Sequence, residues 1–161
     1  MFIRKALKDE TTSIMQIYDK ARTFMRENGN MNQWTNSYPS RSIIESDIGN
    51  GNLYVVLDEG ELVGVFCFSI GDDPTYNAIE GGSWHYSDGY GVIHRIASNG
   101  KAKGVAKAAF DHCLGKIGHL RIDTHEDNIP MQNALEGYGF RKCGTIHIAD
   151  GSPRIAYDIE V

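Results

Sequence analysis

The stretch from Gly89 to Phe110 contains no acidic residue, although the whole chain carries a net charge of −5. Its basic residues are Arg95, Lys101, Lys103 and Lys107. Gly100 and Gly104 would let the backbone approach a ligand closely, because neither has a Cβ atom. A helix that begins here would present unpaired N–H groups and a positive dipole end, both of which attract phosphate oxygens. The pattern predicts a phosphate-binding turn, although glycine and asparagine are also ordinary in a turn without a ligand.

This turn does not match the common nucleotide-binding motifs. A Walker motif requires Ser or Thr after its Gly-Lys pair, and here Gly100-Lys101 is followed by Ala102. A dinucleotide-binding motif requires a third glycine, which is missing after Gly89 and Gly91. The sequence therefore gives little support to an enzyme that acts on nucleotide phosphates.

The histidines and cysteines show no metal-binding pattern. The six histidines include no HxxxH pair, and the three cysteines include no CxxC pair. We expect no metal cofactor, and we expect reduced thiols at Cys67, Cys113 and Cys143, as in a cytoplasmic protein.

Composition restricts the function class further. Charged residues interrupt the N-terminus and no run of 18 apolar residues occurs, so we expect neither export nor membrane insertion. The net negative charge argues against a non-specific nucleic-acid binder. The length of 161 residues suits one domain over residues 1–161.

Apolar periodicity and turn residues predict an α/β protein with the order β-α-α-β-β-β-α-β-α-β-β. The predicted strands are 2–7, 53–57, 62–70, 92–97, 119–124, 140–147 and 154–159. The predicted helices are one capped by Asp9, then 40–48, 103–117 and 130–138. Strands 92–97 and 119–124 should be parallel neighbours, because a helix connects them. Segment 71–91 is predicted to be a long irregular loop, of the kind that is usually functional or disordered.

Two segments resemble motifs of the GNAT superfamily of N-acetyltransferases. The sequence KAKGVA, residues 101–106, is similar to the family's acetyl-CoA pyrophosphate loop, Gln/Arg-x-x-Gly-x-Gly/Ala. Asn128, Met131, Gly139 and Phe140 are in register with its Asn-x-x-Ala/Met…Gly-Phe segment. The order of elements also matches. The resemblance implies a GNAT-like fold with a mixed, mostly antiparallel sheet flanked by helices. It also implies direct transfer of an acetyl group from acetyl-CoA to a primary amine.

The resemblance assigns the cofactor contacts to two regions and one side chain. The pyrophosphate would be held by the backbone of Lys101, Ala102, Lys103, Gly104, Val105 and Ala106. The oxyanion would be held by N–H groups around Ile96, Ala97 and Ser98. Asn128 is a candidate polar contact, or simply a helix cap two residues before Pro130. The motif departs from the family at Lys101, which replaces Gln or Arg. A lysine lacks the planar guanidinium with which arginine makes two-point contacts to phosphate.

A second departure concerns catalysis. Leu135 occupies the position where the family often has a Tyr that protonates the leaving thiolate. Tyr138, one turn further along the helix, is a candidate substitute or a half-buried aromatic residue. His94, beside the expected acetyl site, is the candidate base or a packed core histidine. Glu80 is the next candidate base, acting through water.

The acceptor site is expected under segment 32–39 and the loop 71–91, which hold several aromatic residues and the carboxylates Asp72, Asp73, Glu80 and Asp88. Trp34, Tyr38 and Trp84 are the candidate substrate contacts, and aromatic faces with carboxylates would suit a cationic amine on a small molecule or peptide. A non-catalytic CoA-binding regulatory module is the alternative function. By analogy with this fold, a homodimer is expected.

Overall fold

A computed structural model of the protein describes all 161 residues. Seven strands form one sheet in the spatial order β1-β2-β3-β4-β5-β7-β6. The strands are β1 Phe2–Lys5, β2 Leu53–Asp58, β3 Glu61–Ile70, β4 Gly91–Ser98, β5 His119–Thr124, β6 Arg141–His147 and β7 Pro153–Glu160. Only β4 and β5 run parallel to each other. The predicted parallel pair and the mixed, mostly antiparallel sheet are therefore confirmed.

Four helices accompany the sheet: α1 Thr11–Glu27, α2 Arg41–Gly49, α3 Val105–Leu114 and α4 Ile129–Tyr138. The predicted order of elements is confirmed, but the predicted cap of the first helix at Asp9 is wrong. Asp9 lies inside a 3₁₀ turn, Lys8–Glu10, that precedes α1. This turn forms because the Glu10 carboxylate accepts the Leu7 N–H at 2.8 Å and pairs with Arg4 on β1. None of the helices is long and apolar enough to span a membrane.

The helices cover both faces of the sheet, two on each face. Helices α1 and α2 pack on one face, over a cluster that includes Ile14, Tyr18 and Val65. Helices α3 and α4 pack on the other face, over a cluster that includes Phe66, Phe110 and Leu135. Gly64 on β3 lets α3 lie close to the sheet, because a Cβ atom there would stand 2.4 Å from the Val105 side chain. The sheet therefore fixes the position of the turn that precedes α3.

Strands β4 and β5 separate soon after they begin. They pair only at Gly91 with Leu120 and at Val92 with Arg121. Further along, β4 contains a bulge: His94 is opposite Cys67 and Ala97 is opposite Val65, so two residues face one on β3. Within the bulge Arg95 has a φ of 51°, which is unusual for a residue with a side chain. The Tyr18 hydroxyl donates a hydrogen bond to its carbonyl at 2.7 Å. The two strands thus diverge and leave an opening in the sheet.

Segment 71–91 packs against β4, β6 and β7 around a third hydrophobic cluster, which includes Tyr76, Val92 and Ile146. The segment is more ordered than predicted. It contains a 3₁₀ turn at Pro74–Tyr76. Glu80 pairs with Thr145 of β6 through two backbone hydrogen bonds of 2.9 and 2.8 Å. The segment and β6 lie so close together that each needs a glycine at the contact. A Cβ atom on Gly82 would be 2.0 Å from the carbonyl oxygen of Cys143. A Cβ atom on Gly144 would be 2.5 Å from the carbonyl oxygen of Glu80. The prediction of a wholly irregular loop is therefore wrong at these two points.

Candidate active site

A cavity of about 630 Å³ lies where β4 and β5 separate. Its walls come from β4, the end of β5, the start of α4, segment 32–38 and the turn between β6 and β7. Among the predicted site residues, the cavity is lined by His94, Ile96, Asn128, Trp34 and Tyr38. The structure therefore brings these five residues together around one cavity.

His94 is paired with Asp73 inside this cavity. The His94 Nε2 and the Asp73 Oδ2 are 2.8 Å apart, and the two side chains are 31% and 20% exposed. The hydrogen bond from His94, helped by the N–H of Thr75, lowers the pKa of Asp73 to about 2 against the opposing effect of burial. Asp73 is therefore ionised at neutral pH and can only accept, so Nε2 of His94 carries the proton of this bond. The other ring nitrogen, Nδ1, has no hydrogen-bond partner within the protein and is free to accept a proton.

A second carboxyl group, that of Asp123, lies deeper in the cavity. Its Oδ2 accepts a hydrogen bond of 2.7 Å from the hydroxyl of Tyr76. Burial raises the pKa of Asp123, while this hydrogen bond and the nearby positive charge of Arg154 oppose the rise. The same burial raises the pKa of Tyr76 well above its ordinary range, so Tyr76 keeps its proton and holds Asp123 in position.

The bulge in β4 is fixed by an ion pair. The Arg95 guanidinium donates to both carboxylate oxygens of Asp47 on α2, at 2.7 and 2.8 Å. It also donates to the Tyr38 hydroxyl at 3.0 Å. Segment 32–38 is held to α1 by Arg26, which donates to three backbone carbonyls. The ion pair thus connects α2, β4 and the wall that carries Tyr38.

The turn before α3 has the backbone geometry expected of an anion site. Gly104 caps α3 with a φ of 83°, and Gly100 has a φ of 78°. The N–H groups of Gly100 and Lys101 bond to the side chains of Ser98 and Asn99. None of the N–H groups of residues 102–107 donates a hydrogen bond within the protein, so they are free to bind phosphate oxygens.

The remaining predicted cofactor contacts occupy less open positions. Ala97 and Ser98 pair with Val65 and Gly64 of β3. Asn128 acts as the cap of α4, because its Oδ1 accepts the Met131 N–H at 3.1 Å. Its Nδ2 donates to Gln33 at 2.9 Å. The capping role that the sequence left open is therefore present, in a side chain that also lines the cavity.

Three of the predicted catalytic and substrate-binding residues do not line the cavity. The Tyr138 hydroxyl donates to Asp111 of α3 at 2.6 Å, and burial together with that carboxylate raises its pKa to about 12. Glu80 is engaged in the bridge to β6. Trp84 stacks on the guanidinium of Arg121 at 4.2 Å. Leu135 is fully buried in the core, so neither it nor Tyr138 offers an acid to this cavity.

Two side-chain groups outside the cavity contain metal-ligand residue types. They are His85 with Cys143 and Asp158, and Asp88 with His119 and Glu160. In the first group, the buried Asp158 carboxylate already accepts the backbone N–H of His85 and pairs with its Nδ1, each at 2.7 Å. The second group is largely exposed. Hydrogen bonding within the protein accounts for the first group without an ion.

Several site residues were not predicted as such from the sequence. Asp73 was only one of the loop carboxylates, and Arg95, Asp47, Asp123 and Arg154 had no assigned role. The partners of each pair are far apart in the chain, so no local spacing could have indicated them. A positive φ at an arginine within a strand likewise has no sequence signal.

The sequence profile of the Acetyltransferase (GNAT) family matches residues 12–140. Comparison with curated protein sequences finds no significant match. Among solved structures, a GNAT-family acetyltransferase from Streptococcus agalactiae is 31% identical with a TM-score of 0.91, over 99% of this chain and 95% of that chain. A GNAT-family acetyltransferase from Listeria monocytogenes is 18% identical with a TM-score of 0.71, over 99% and 94% of the two chains.

The ribosomal-protein-S18-alanine N-acetyltransferase from Escherichia coli shares the fold at 12% identity and a TM-score of 0.65, over 99% of this chain and 93% of that chain. The family profile covers most of the chain, and the sequence motifs, the separated strands and the turn before α3 lie within or beside the matched region. The protein therefore belongs to the GNAT family of acetyltransferases.

Proposed function

We propose that the protein transfers the acetyl group of acetyl-CoA to a primary amine by direct attack within the cavity between β4 and β5. The observation that carries this proposal is the pair of His94 and Asp73, which lines that cavity and leaves one ring nitrogen of His94 without a hydrogen-bond partner in the protein. The free N–H groups of the neighbouring turn supply the second requirement, a place for the cofactor. We also propose a cytoplasmic location, which the three free cysteines favour.

The turn before α3 suits the pyrophosphate of acetyl-CoA. The N–H groups of residues 102–107 point away from protein partners, and the helix dipole favours negative charge at this end. Lys101, Lys103 and Lys107 add positive charge around the turn, without an acidic residue before Asp111. When bound, acetyl-CoA supplies an acetyl group activated as a thioester.

His94 would act as the general base. An amine is protonated near neutral pH, since its ordinary pKa is about 10, and must lose a proton before it can attack the acetyl carbon. His94 Nδ1 accepts that proton, while Asp73 holds the ring through Nε2 and stabilises the charge it gains. A C–N bond forms and the C–S bond breaks, so the products are the amide and the thiolate of CoA.

The leaving thiolate has no obvious acid in this protein. Leu135 is apolar, and the Tyr138 hydroxyl is bound to Asp111 outside the cavity. A thiol has an ordinary pKa of about 8.5, so its thiolate can leave near neutral pH without being protonated first. The reaction therefore needs a base and an oxyanion donor more than it needs an acid.

The test has two stages. First, acetyl-CoA at 100 times its dissociation constant should stabilise the protein by about 2.7 kcal/mol in thermal unfolding. Second, release of free thiol should be measured with polyamines, amino acids, aminoglycosides and lysine peptides as acceptors. His94→Gln should reduce the rate by about 100-fold or more and leave acetyl-CoA binding unchanged. Equal rates for the variant and the parent would remove His94 as the base.

The second candidate function is a CoA-binding regulatory module without catalysis. It is favoured by one observation, the lack of an acid near the expected thiolate. Binding of acetyl-CoA without thiol release for any acceptor would support the module. No stabilisation at millimolar acetyl-CoA would contradict both functions.

A further inference from the structure

Arg154, on β7, is a buried cation without an ionic partner inside the candidate active-site cavity. The residue is only 7% exposed and lines the same cavity as His94. We infer that Arg154 binds a carboxylate of the acceptor, and that the acceptor is an amino acid-like molecule that carries both an amine and a carboxylate. This inference rests on the proposed acetyl transfer to an amine.

The hydrogen bonds of Arg154 leave most of its donors unused. Its guanidinium has five N–H groups, and the one bond it makes within the protein runs from Nη1 to the adjacent Pro153 carbonyl at 2.8 Å. No carboxylate oxygen lies within 4 Å of it. A buried charge is costly unless it is paired. These unbonded nitrogens are not closed off in the protein interior, so Arg154 has free donors with which to bind an anion.

The other guanidinium of the cavity makes a clear contrast. Arg95 lies at a similar depth, but its charge is matched by the bidentate pair with Asp47 and its third donor is used by Tyr38. An anion in the cavity would therefore gain little from Arg95. It would gain a two-point contact from Arg154, since a guanidinium fits a carboxylate with two parallel hydrogen bonds.

The carboxylates of the cavity are hydrogen-bonded to other partners and not to Arg154. Asp73 is held by His94 and Thr75. Asp123 accepts the hydroxyl of Tyr76, and Asp150 accepts the backbone N–H of Ser152 at 2.8 Å. The charge of Arg154 still reaches Asp123, where it opposes the rise in pKa caused by burial. The positive charge thus faces the cavity but is not neutralised there.

Asp123 also relates Arg154 to the proposed base. His94, Asp123 and Arg154 all line the same cavity, so the proposed base and the free guanidinium face one enclosed space. An amine that reaches His94 Nδ1 would hold its carboxylate at Arg154 if the two groups belong to a compact molecule. The aromatic surface expected to favour a purely cationic amine is incomplete, because Trp84 covers Arg121 instead.

The inference can be tested with matched acceptors that differ only in charge. Glycine, β-alanine, γ-aminobutyrate and the common L-amino acids should be compared with their carboxamides, with thiol release as the readout. We expect the best acid to exceed its amide in kcat/KM by about 30-fold, the range of a hydrogen bond to a charged group. Arg154→Gln should remove this preference, mainly by raising the KM of the acid.

Further variants keep the test decisive. Arg141→Gln, an exposed residue on β6, removes the same charge outside the cavity and should leave the preference intact. Arg154→Lys keeps the positive charge but loses the planar two-point donor, and it should retain part of the preference. This variant also keeps the test possible if Arg154→Gln does not fold.

Two results would overturn the inference while the proposed function stands. The first is equal use of acids and amides by the parent protein. The second is a loss of acetyl-CoA binding in Arg154→Gln without a change in acceptor preference. Absence of thiol release with all acceptors would contradict the proposed function instead. Calorimetric titration of the protein with the same acids and amides would then test the carboxylate site directly. If Arg154 binds the carboxylate, only the acids should bind, and Arg154→Gln should abolish their binding.

Discussion

Replacing Asp73 by Asn tests the proposed base through its positioning residue. The substitution keeps the size of the side chain but removes the charge that His94 contacts at 2.8 Å. The amide can present either its oxygen or its nitrogen to the ring, so Nε2 is no longer required to carry the proton. The fraction of protein with Nδ1 ready to accept a proton should fall.

The pKa of Asp73 sets the size of the effect. Its fall from 3.8 to about 2 corresponds to about 2 kcal/mol of net interaction with the ionised carboxylate. The largest contribution is the hydrogen bond from His94, and smaller ones come from Thr75. We assign about 1–2 kcal/mol to His94, which predicts about a 5- to 30-fold loss of kcat/KM in Asp73→Asn. The KM for acetyl-CoA should not change, because the turn before α3 is untouched.

The same pair predicts a pH dependence of stability. The pKa of Asp73 is lower in the folded protein than in the unfolded chain, where it is about 3.9. Its stabilising effect of about 2 kcal/mol is therefore complete above that value and is lost as the pH falls toward 2. Urea unfolding of the parent and of Asp73→Asn should differ at pH 7 and converge only as the pH approaches 2.

The neighbouring Asp72 provides a matched control. It is exposed in the same loop, so Asp72→Asn removes the same charge without touching His94. Its kcat/KM and stability should stay close to those of the parent. The reasoning would be refuted if the two variants lost activity equally, or if Asp73→Asn kept full activity.

Three further results are expected. Gly104→Ala and Gly60→Ala place a Cβ atom at φ values of 83° and 80°, both in open space, and each should cost about 1 kcal/mol of stability. Only Gly104→Ala should weaken acetyl-CoA binding in a titration, and equal binding by both variants would contradict the phosphate turn. Asp47→Asn leaves the charge of Arg95 unmatched and should lower stability by about 3 kcal/mol, or the melting temperature by about 6–12 °C; an unchanged melting temperature would exclude a structural role for this pair. Burial raises the pKa of the three cysteines to between about 11 and about 12, so iodoacetamide at pH 7.5 should modify them only after unfolding in urea, as mass spectrometry would detect.

The sequence predicted the parts of the fold that depend on local patterns. The order of strands and helices follows from apolar periodicity, and the helix after the basic turn was predicted from residue 103, two residues before α3 begins at Val105. The end residues were less accurate, because they depend on tertiary contacts. Asp9 seemed a suitable cap, but Glu10 closes a turn against Arg4 of β1 and moves the start of α1 to Thr11.

The candidate site was predicted only in part, because its pairs join distant segments. His94 was identified from its strand position and its chemistry, but its partner Asp73 could not be separated from the other carboxylates of the loop. Trp84 was expected at the acceptor site for the same reason as Trp34 and Tyr38, its aromatic ring in a segment near the expected cavity. It packs on Arg121 instead, since a buried guanidinium is stabilised by an aromatic face and the sequence does not reveal which cation is buried.

The bridge between Glu80 and Thr145 has a consequence for the entropy of substrate binding. It fixes segment 71–91, which carries Asp73, to the edge of the sheet before any substrate arrives. Ordering a free loop would cost about 1–2 kcal/mol for each residue fixed, a cost that would be subtracted from the affinity for the acceptor. In this protein the cost is already met during folding, so the acceptor meets a preorganised cavity wall.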